Sequence, residues 1–255
     1  MDIQKKKIIV FDLDGTLTET KSPMDAEMAE LVAKLLEQKM VAIISGGAFE
    51  QFERQLPALK CPEDLLKKLF FFPTTGTRFY RYSGRWKQVY ADEMMSEERE
   101  KIKEAFEKAF RHIHYQHPKI LYGEVIEDRG TQVTFSALGQ RAPIDLKKQY
   151  KGSQQDNRRE IIRALEKYLP EFEIMMPGYT SIDITKKGVD KAYGIKQIGN
   201  HLGISIGEMI FVGDALYIGG NDYAVKAAGV DCIEVAGPED TKNLIRQWLT
   251  IPSSA

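Results

Sequence analysis

Two aspartates one residue apart, Asp12 and Asp14, follow the apolar run Ile8–Phe11 and are followed in turn by Gly15 and Thr16. An apolar, β-branched run that ends at a glycine turn is typical of a buried strand. Because side chains alternate along an extended chain, Asp12 and Asp14 point to the same side. Two carboxylates held close together repel each other unless a cation or a shared proton intervenes. The segment therefore predicts a metal site or an acid–base pair, the alternative being an ordinary strand followed by an Asp-Gly turn.

Three further polar segments follow in a fixed order along the chain. They are Ser45-Gly46-Gly47 after the apolar run 41–44, Lys191 before the apolar-periodic stretch 192–202, and Gly213-Asp214 after the apolar run 209–212, with Asn221-Asp222 close behind. Each alone is most simply a turn, a surface lysine or a helix N-cap. In open α/β sheets, however, the carboxyl ends of strands are the usual place for chemistry. The joint order of the four segments favours a functional site.

This order resembles the motif order of the haloacid dehalogenase superfamily, whose members mostly transfer phosphoryl groups, and the resemblance covers nearly the whole chain. It implies that Asp12 is a nucleophile that forms an aspartyl phosphate. It also implies that Asp14 protonates the leaving oxygen and then activates water. By the same resemblance Ser45 donates a hydrogen bond to a phosphoryl oxygen, and Lys191 holds nucleophile and phosphate together.

The resemblance also implies a cofactor, Mg²⁺, because the expected ligands are oxygen atoms with no histidine or cysteine nearby. The expected metal ligands are Asp12, the backbone carbonyl of Asp14, Asp214, and either Asn221 or Asp222. The expected backbone contacts to the phosphoryl group are the N–H groups of Gly15, Thr16 and Gly46. The choice between Asn221 and Asp222 stays open, because the segment from Gly213 to Asp222 is longer than the common short spacing.

The alternation of strands and helices predicts an α/β fold: a Rossmann-like parallel-sheet core with an inserted α+β cap. We expect the core at residues 1–91 and 186–255 and the cap at residues 92–185. In the core, Ser22 is expected to cap the first helix, with Pro23 at its first position. The cap pattern is helix, two strands, helix, two strands, with its first strands predicted at 121–127 and 131–137.

Within the superfamily, the long segment from Gly213 to Asp222 is similar to that of the eukaryotic-type phosphomannomutases, as are several cap segments. This similarity implies substrate contacts from Arg129, Ser181 and Asp183. Where that family has a further arginine, this chain has Gln140, and the adjacent Arg141 would face the other way if the segment were a strand. A third basic position holds Lys147.

A mutase must hold a second phosphate, for which arginine is well suited. The replacement at Gln140 therefore favours a phosphosugar phosphatase. Phosphomannomutase is the alternative, and a non-catalytic phosphosugar-binding regulator is a minor one. The expected partner is a small phosphorylated molecule; a homodimer stays open.

Charge and composition limit the binding partners and the cellular setting that we expect. The formal net charge of −1 favours neither nucleic acid nor a membrane surface, and no apolar run is long enough to span a membrane. Cys61 and Cys232 are too few and too far apart in sequence to indicate a disulfide framework. These features predict a reduced, cytoplasmic setting.

Overall fold

A computed structural model of the chain describes residues 3–250, which divide into two units. The first unit contains the described residues up to Ala91 and from Asp190 onward, and the second is Asp92–Val189. Residues 186–189 thus fall in the second unit, because the strand that begins at Ser181 continues to Lys186 and the Thr185 hydroxyl donates to the Val189 carbonyl oxygen.

The described residues form eleven strands, most of them short. They are β1 (Ile8–Asp12), β2 (Met40–Ile44), β3 (Leu69–Phe72), β4 (Arg78–Tyr82), β5 (Trp86–Ala91), β6 (Ile126–Asp128), β7 (Val133–Ser136), β8 (Phe172–Met175), β9 (Ser181–Lys186), β10 (Met209–Gly213) and β11 (Asp231–Glu234). The predicted strand at 121–127 is wrong except at its last two residues. Gly123 adopts a left-handed conformation with φ 82°, which interrupts the extended chain there.

Nine α-helices lie between or after these strands in the described part of the chain. They are α1 (Ala26–Gln38), α2 (Phe49–Gln55), α3 (Glu63–Leu66), α4 (Ser96–His112), α5 (Ile144–Tyr150), α6 (Arg158–Tyr168), α7 (Lys191–Leu202), α8 (Tyr223–Ala227) and α9 (Pro238–Leu249). None of these helices is both long and apolar enough to cross a membrane. The short helices α3 and α5 have no counterpart among the sequence predictions, since too few turns are present to give a clear period.

The first unit is built on a seven-stranded sheet in the order β11-β10-β1-β2-β3-β4-β5. Strand β1 pairs in parallel with β10 on one side and β2 on the other, and β4 and β5 extend the sheet in antiparallel fashion. Along β1, Ile9 and Phe11 enter the core on one face, while Ile8 and Val10 enter the core on the other. A strand buried on both faces requires an unbroken apolar run, which explains why β1 is so clear in the sequence.

Helices cover both faces of this sheet. The apolar side chains that α1 and α9 bury belong to one core, and those of α7 and α8 belong to the core on the opposite face. The strand order reverses at β1, because β2 and β3 lie on one side and β10 and β11 on the other. In doubly wound sheets ligands bind at the carboxyl ends of the strands at such a reversal. The fold is therefore α/β with a mostly parallel central sheet, as predicted.

The start of α1 differs from the prediction. The N-cap is Asp25, whose carboxylate accepts a hydrogen bond from the Met28 N–H at 2.8 Å. Ser22 lies before the helix, and its hydroxyl donates to the Thr20 carbonyl oxygen at 3.4 Å. Both residue types cap helices well, so the sequence alone could not separate the two positions.

The second unit contains a four-stranded antiparallel sheet in the order β6-β7-β9-β8. Helices α4 and α6 pack on one face of it, where Phe106, Phe135, Leu165 and Ile182 share one buried core. This is the antiparallel sheet with helices that the pattern of the segment predicts.

The packing of α7 against the short 3₁₀ helix Thr74–Gly76 depends on a glycine. A Cβ built on Gly194 would lie 2.9 Å from the Thr75 carbonyl oxygen and would overlap the Ile44 side chain. We expect Gly194→Ala to lower the free energy of unfolding by about 1–2 kcal/mol, because overpacking outweighs the better helix propensity of alanine. Urea unfolding measures this. Gly207→Ala, where nothing lies within 4 Å of the added atom, is the control. Equal stability of both variants would contradict the packing argument.

Candidate active site

Three carboxylates from two strand ends and a loop converge in the first unit. Asp12 is the last residue of β1, Asp214 directly follows β10, and Asp222 precedes α8. One oxygen of each lies within 4.8 Å of those of the other two. Asp12 and Asp222 are buried, whereas Asp214 is half-buried. A compact group of carboxylate oxygens is the ligand chemistry that a hard divalent cation prefers.

Lys191, the first residue of α7, supplies a buried positive charge to this group. Its Nζ lies 2.5 Å from Asp12 Oδ1 and also donates to Asp222 Oδ1. The position of Lys191 follows from the N-cap Asp190, whose carboxylate accepts from the Tyr193 N–H and starts the helix there. Asp222 is held further by the Ala215 N–H, which donates to its Oδ2 at 3.1 Å.

The charges within this cluster do not balance. Burial raises the pKa of the Asp12 carboxyl well above its ordinary value, and Asp222 and Asp214 add to the effect while Lys191 opposes it. Burial and the Asp222 charge also raise the pKa of Asp214. Burial acts to lower the pKa of the Lys191 ammonium, but Asp12 and Asp222 outweigh it and raise that pKa. One ammonium among three carboxylates leaves excess negative charge, which favours uptake of a proton or a metal cation.

Gly15 allows the first and the last of the four sequence segments to come into contact. Its φ of 89° is in the left-handed region that favours glycine. A Cβ at this position would overlap the Asp214 carboxylate. The Gly15 N–H donates to the Thr18 carbonyl oxygen at 2.7 Å, and the Thr16 N–H donates to that of Leu13 at 3.4 Å. These two N–H groups, predicted to bind phosphate, therefore donate within their own loop in this structure.

Asp14 is not one of the three residues of the carboxylate cluster. Its side chain accepts hydrogen bonds from the amides of Gln51 at 2.7 Å and Gln55 at 3.0 Å, both on α2. These glutamines are not among the site residues predicted from the sequence. Their spacing of four residues, which places them on one face of α2, was the available signal.

Ser45 lies directly after β2 and is buried. Its hydroxyl oxygen accepts a hydrogen bond from the Gly47 N–H at 3.1 Å. That contact uses the oxygen as an acceptor, so the hydroxyl proton can still be donated to a ligand. Gly46 lies between these two residues in the same turn.

The structure distinguishes the two adjacent candidates at the end of the loop after β10. The Asp222 side chain is fully buried and belongs to the carboxylate cluster. Asn221 is exposed and is not part of that cluster. Although the segment from Gly213 to Asp222 is long, it returns to the carboxyl end of β10, where Asp222 is buried beside Lys191.

The predicted substrate residues of the second unit lie on and beside its sheet. Asp183 on β9 pairs in register with Thr134 on β7, and its Oδ1 accepts from the Thr134 hydroxyl at 2.8 Å. Ser181 lies two residues before Asp183 and thus on the same face, opposite the buried Ile182. This face of the sheet is polar, whereas the other contributes to the apolar core.

Two of the predicted basic residues of the second unit, Arg129 and Lys147, have partners in the structure. The Arg129 guanidinium is largely buried, and its Nε donates to Glu127 Oε2 at 2.7 Å. Gln140 and Arg141 lie in a turn after β7, so the strand alternation invoked for them does not apply. The Lys147 ammonium donates to the Gln140 carbonyl oxygen at 3.0 Å.

The site combines a buried aspartate at the end of the first strand with a lysine that pairs with it and two more carboxylates. This combination defines an enzyme of the phosphoryl-transfer class. The chain belongs to the haloacid dehalogenase-like hydrolases, whose sequence profile matches residues 9–225. It is similar to the phosphomannomutase of Encephalitozoon cuniculi, at 24% identity over 96% of this chain and 94% of that protein. It is similar to that of Saccharomyces cerevisiae at 23% identity, over 96% and 94% of the two chains.

Solved structures share the fold. The IMP-nucleotidase of Plasmodium falciparum superposes with a TM-score of 0.72 at 15% identity, covering 96% of this chain and 68% of that one. A trehalose-6-phosphate phosphatase related protein superposes with a TM-score of 0.56 at 18% identity, covering 95% and 96%. At such identities the likeness establishes the fold alone.

Removal of the Lys191 charge should destabilise the chain, since it leaves buried carboxylates without their counter-ion. We expect Lys191→Met to lower the free energy of unfolding by about 3 kcal/mol in the presence of EDTA. The loss should be greater at pH 8 than at pH 5. Without Lys191 the pKa of Asp12 rises further in the folded state. A carboxyl whose pKa is higher in the folded than in the unfolded protein makes the free energy of unfolding fall as pH increases.

Denaturant unfolding at the two pH values tests this expectation. Lys196→Met, an exposed change on the same helix, is the matched control and should have little effect at either pH. A loss for Lys191→Met that does not change with pH would contradict the electrostatic account.

Proposed function

We propose that the chain is a phosphatase that hydrolyses a phosphate monoester, a sugar phosphate, through an aspartyl-phosphate intermediate. The observation that carries the proposal is the buried contact between Asp12 and Lys191 beside two further carboxylates. Phosphate esters hydrolyse very slowly in water, so positioning and charge stabilisation must supply the acceleration. These residues offer a nucleophile, a fixed positive charge and oxygen ligands within one small volume.

In the proposed first step an Asp12 oxygen attacks phosphorus. Since Lys191 binds Oδ1, we assign Oδ2 as the attacking atom. The bond from phosphorus to the leaving oxygen breaks, and Asp14 gives its proton to that oxygen. In the second step water attacks phosphorus, its proton passes to Asp14, and the bond to Asp12 breaks. Ser45 and Lys191 bind the phosphoryl oxygens throughout.

The carboxylates of Asp12, Asp214 and Asp222 fit Mg²⁺, because they are hard oxygen ligands with excess negative charge. The backbone carbonyl of Asp14 is a further proposed ligand. Bound there, Mg²⁺ would neutralise the repulsion between Asp12 and the incoming phosphate. Asn221, exposed and apart from the cluster, is the weaker of the two candidates at the end of the loop.

We propose that residues 92–185 form a cap that selects the substrate, with Arg129, Gln140, Arg141, Ser181 and Asp183 among its contacts. The preference for hydrolysis over a mutase reaction rests on the basic residues of this unit. Arg129 is paired with Glu127, Lys147 donates to a backbone carbonyl oxygen, and Gln140 carries no charge. A weak hold on a second phosphate allows the product to leave, whereas a mutase must retain a bisphosphate.

The second candidate is a phosphomannomutase that interconverts mannose 6-phosphate and mannose 1-phosphate. Curated relatives named phosphomannomutase match 96% of the chain, which supports this reaction as strongly as the cap residues support hydrolysis. The intact Asp12, Asp14 and Lys191 argue against a non-catalytic regulator. A cytoplasmic location and a homodimer stay predictions.

Replacement of the nucleophile tests the shared chemistry. We expect Asp12→Asn to lower kcat by about 10³-fold or more, because an amide cannot form the acyl phosphate. The assay follows inorganic phosphate release and hexose phosphate interconversion, each with Mg²⁺ and with EDTA. Circular dichroism verifies the fold, and the exposed Asp145→Asn is the control. Full activity of Asp12→Asn would refute the proposed mechanism.

A substitution in the second unit separates the two candidate reactions. If phosphate binding by the cap decides the outcome, Gln140→Arg should raise the ratio of interconversion to phosphate release by about 10-fold. The reason is that a charge-assisted hydrogen bond to phosphate contributes about 1.5–3 kcal/mol. The measurement uses mannose 1-phosphate with and without a hexose bisphosphate. Gln149→Arg, the same change at an exposed position on α5, should leave the ratio unchanged. Efficient interconversion by the unaltered chain would favour the mutase.

A further inference from the structure

Within residues 3–250, three donors hold the side chain of Asp14, and they divide unequally between its two oxygens. Oδ1 accepts from the Lys21 backbone N–H at 2.6 Å and from the Gln55 amide at 3.0 Å. Oδ2 accepts from the Gln51 amide at 2.7 Å. A carboxylate offers about four acceptor sites, two on each oxygen. Both sites of Oδ1 are therefore used, while Oδ2 keeps one.

We infer that Oδ2 is the oxygen of Asp14 that releases and accepts the proton, and that Gln51 is the positioning residue that presents it. The inference rests on the proposed function, in which Asp14 is the acid and base. A proton on Oδ1 would displace one of its two donors. A proton on Oδ2 leaves the Gln51 hydrogen bond intact, since one lone pair of that oxygen still accepts it.

The surroundings of the two glutamines fix this arrangement. Both side chains are buried, and they lie one helical turn apart on α2. The Gln55 amide also donates to the Thr18 hydroxyl at 2.7 Å, which ties it to the loop after Asp14. A Cβ on Gly47 would overlap the Gln51 carboxamide, so glycine there leaves the space through which Gln51 reaches Asp14.

The proton balance follows from this assignment. In the first step the Oδ2 proton passes to the leaving oxygen as its bond to phosphorus breaks and the Asp12–phosphorus bond forms. In the second step Oδ2 receives a proton from water as the new water–phosphorus bond forms and the Asp12–phosphorus bond breaks. Asp14 ends in its starting state. In both steps Gln51 orients Oδ2 without itself exchanging a proton.

The test compares two esters that differ in their need for an acid. An alkoxide leaving group such as that of a hexose 6-phosphate needs protonation, whereas p-nitrophenolate is stable enough to leave without it. With Gln51→Met we expect the single-turnover rate of Asp12 phosphorylation to fall about 10-fold for the hexose phosphate and less than about 2-fold for p-nitrophenyl phosphate. Gln38→Met, the same change at an exposed position of α1, should alter neither rate.

A stability measurement that does not depend on activity accompanies the kinetics. Tm is measured for Gln51→Met, Asp14→Ala and the double variant, because residues in direct contact give non-additive changes. We expect the double variant to melt within about 1 °C of Asp14→Ala, since the hydrogen bond between residues 51 and 14 is absent from both. Such non-additivity together with the ester-dependent rate loss would support the inference.

The other outcomes distinguish a failure of the contact, of the oxygen assignment and of the proposed function. Additive Tm changes would overturn the contact itself, whatever the kinetics. Equal rate losses with both esters would overturn the assignment of Oδ2, because a merely structural role affects both reactions alike. An unaltered chain that forms no phosphoenzyme from either ester would refute the proposed function, and with it the proton transfer, while the Tm values would still establish whether the contact exists.

Discussion

The site depends on the buried ammonium of Lys191, because it allows carboxylates from distant parts of the chain to lie side by side. Lys191 contacts Asp12 and Asp222, which come from the first strand and from the loop before α8. Without a positive charge these carboxylates would repel one another. Burying them unpaired among apolar side chains would also cost free energy. The N-cap at Asp190, the close packing at Gly194 and the loop that returns to Asp222 all act to keep this contact in place.

Much of the first unit could be predicted from the sequence because its central strands are buried on both faces. The apolar runs at β1, β2 and β10 match the observed strands to within one residue, and each ends where glycine or polar residues begin. The errors fall where local signals compete. Ser22 and Asp25 are both good caps, and the apolar residues Ile120 and Leu121 are exposed just before a left-handed glycine and lie outside any strand.

The parts of the site that escaped prediction are tertiary contacts between polar side chains. A glutamine on a helix is ordinary, so the contacts of Gln51 and Gln55 with Asp14 could be found only once α2 was placed beside the loop. The pairing of Arg129 with Glu127 likewise depends on side-chain geometry rather than on the type of residue. The motif order predicted which residues to consider, and their partners came from the fold. The roles assigned to them stay predictions.

The first unit is discontinuous in sequence, and this has a consequence for its assembly during synthesis. Strand β10 pairs with β1 across the whole of Asp92–Val189, and Asp12 and Lys191 are 179 positions apart. Contacts this distant in sequence form slowly, because a long loop must close before any of them is made. A chain emerging from the ribosome exposes one edge of β1 until β10 has been made, whereas all the strands of the second unit are already available. The inserted unit can therefore fold first, while the unit that holds the carboxylate cluster is completed last.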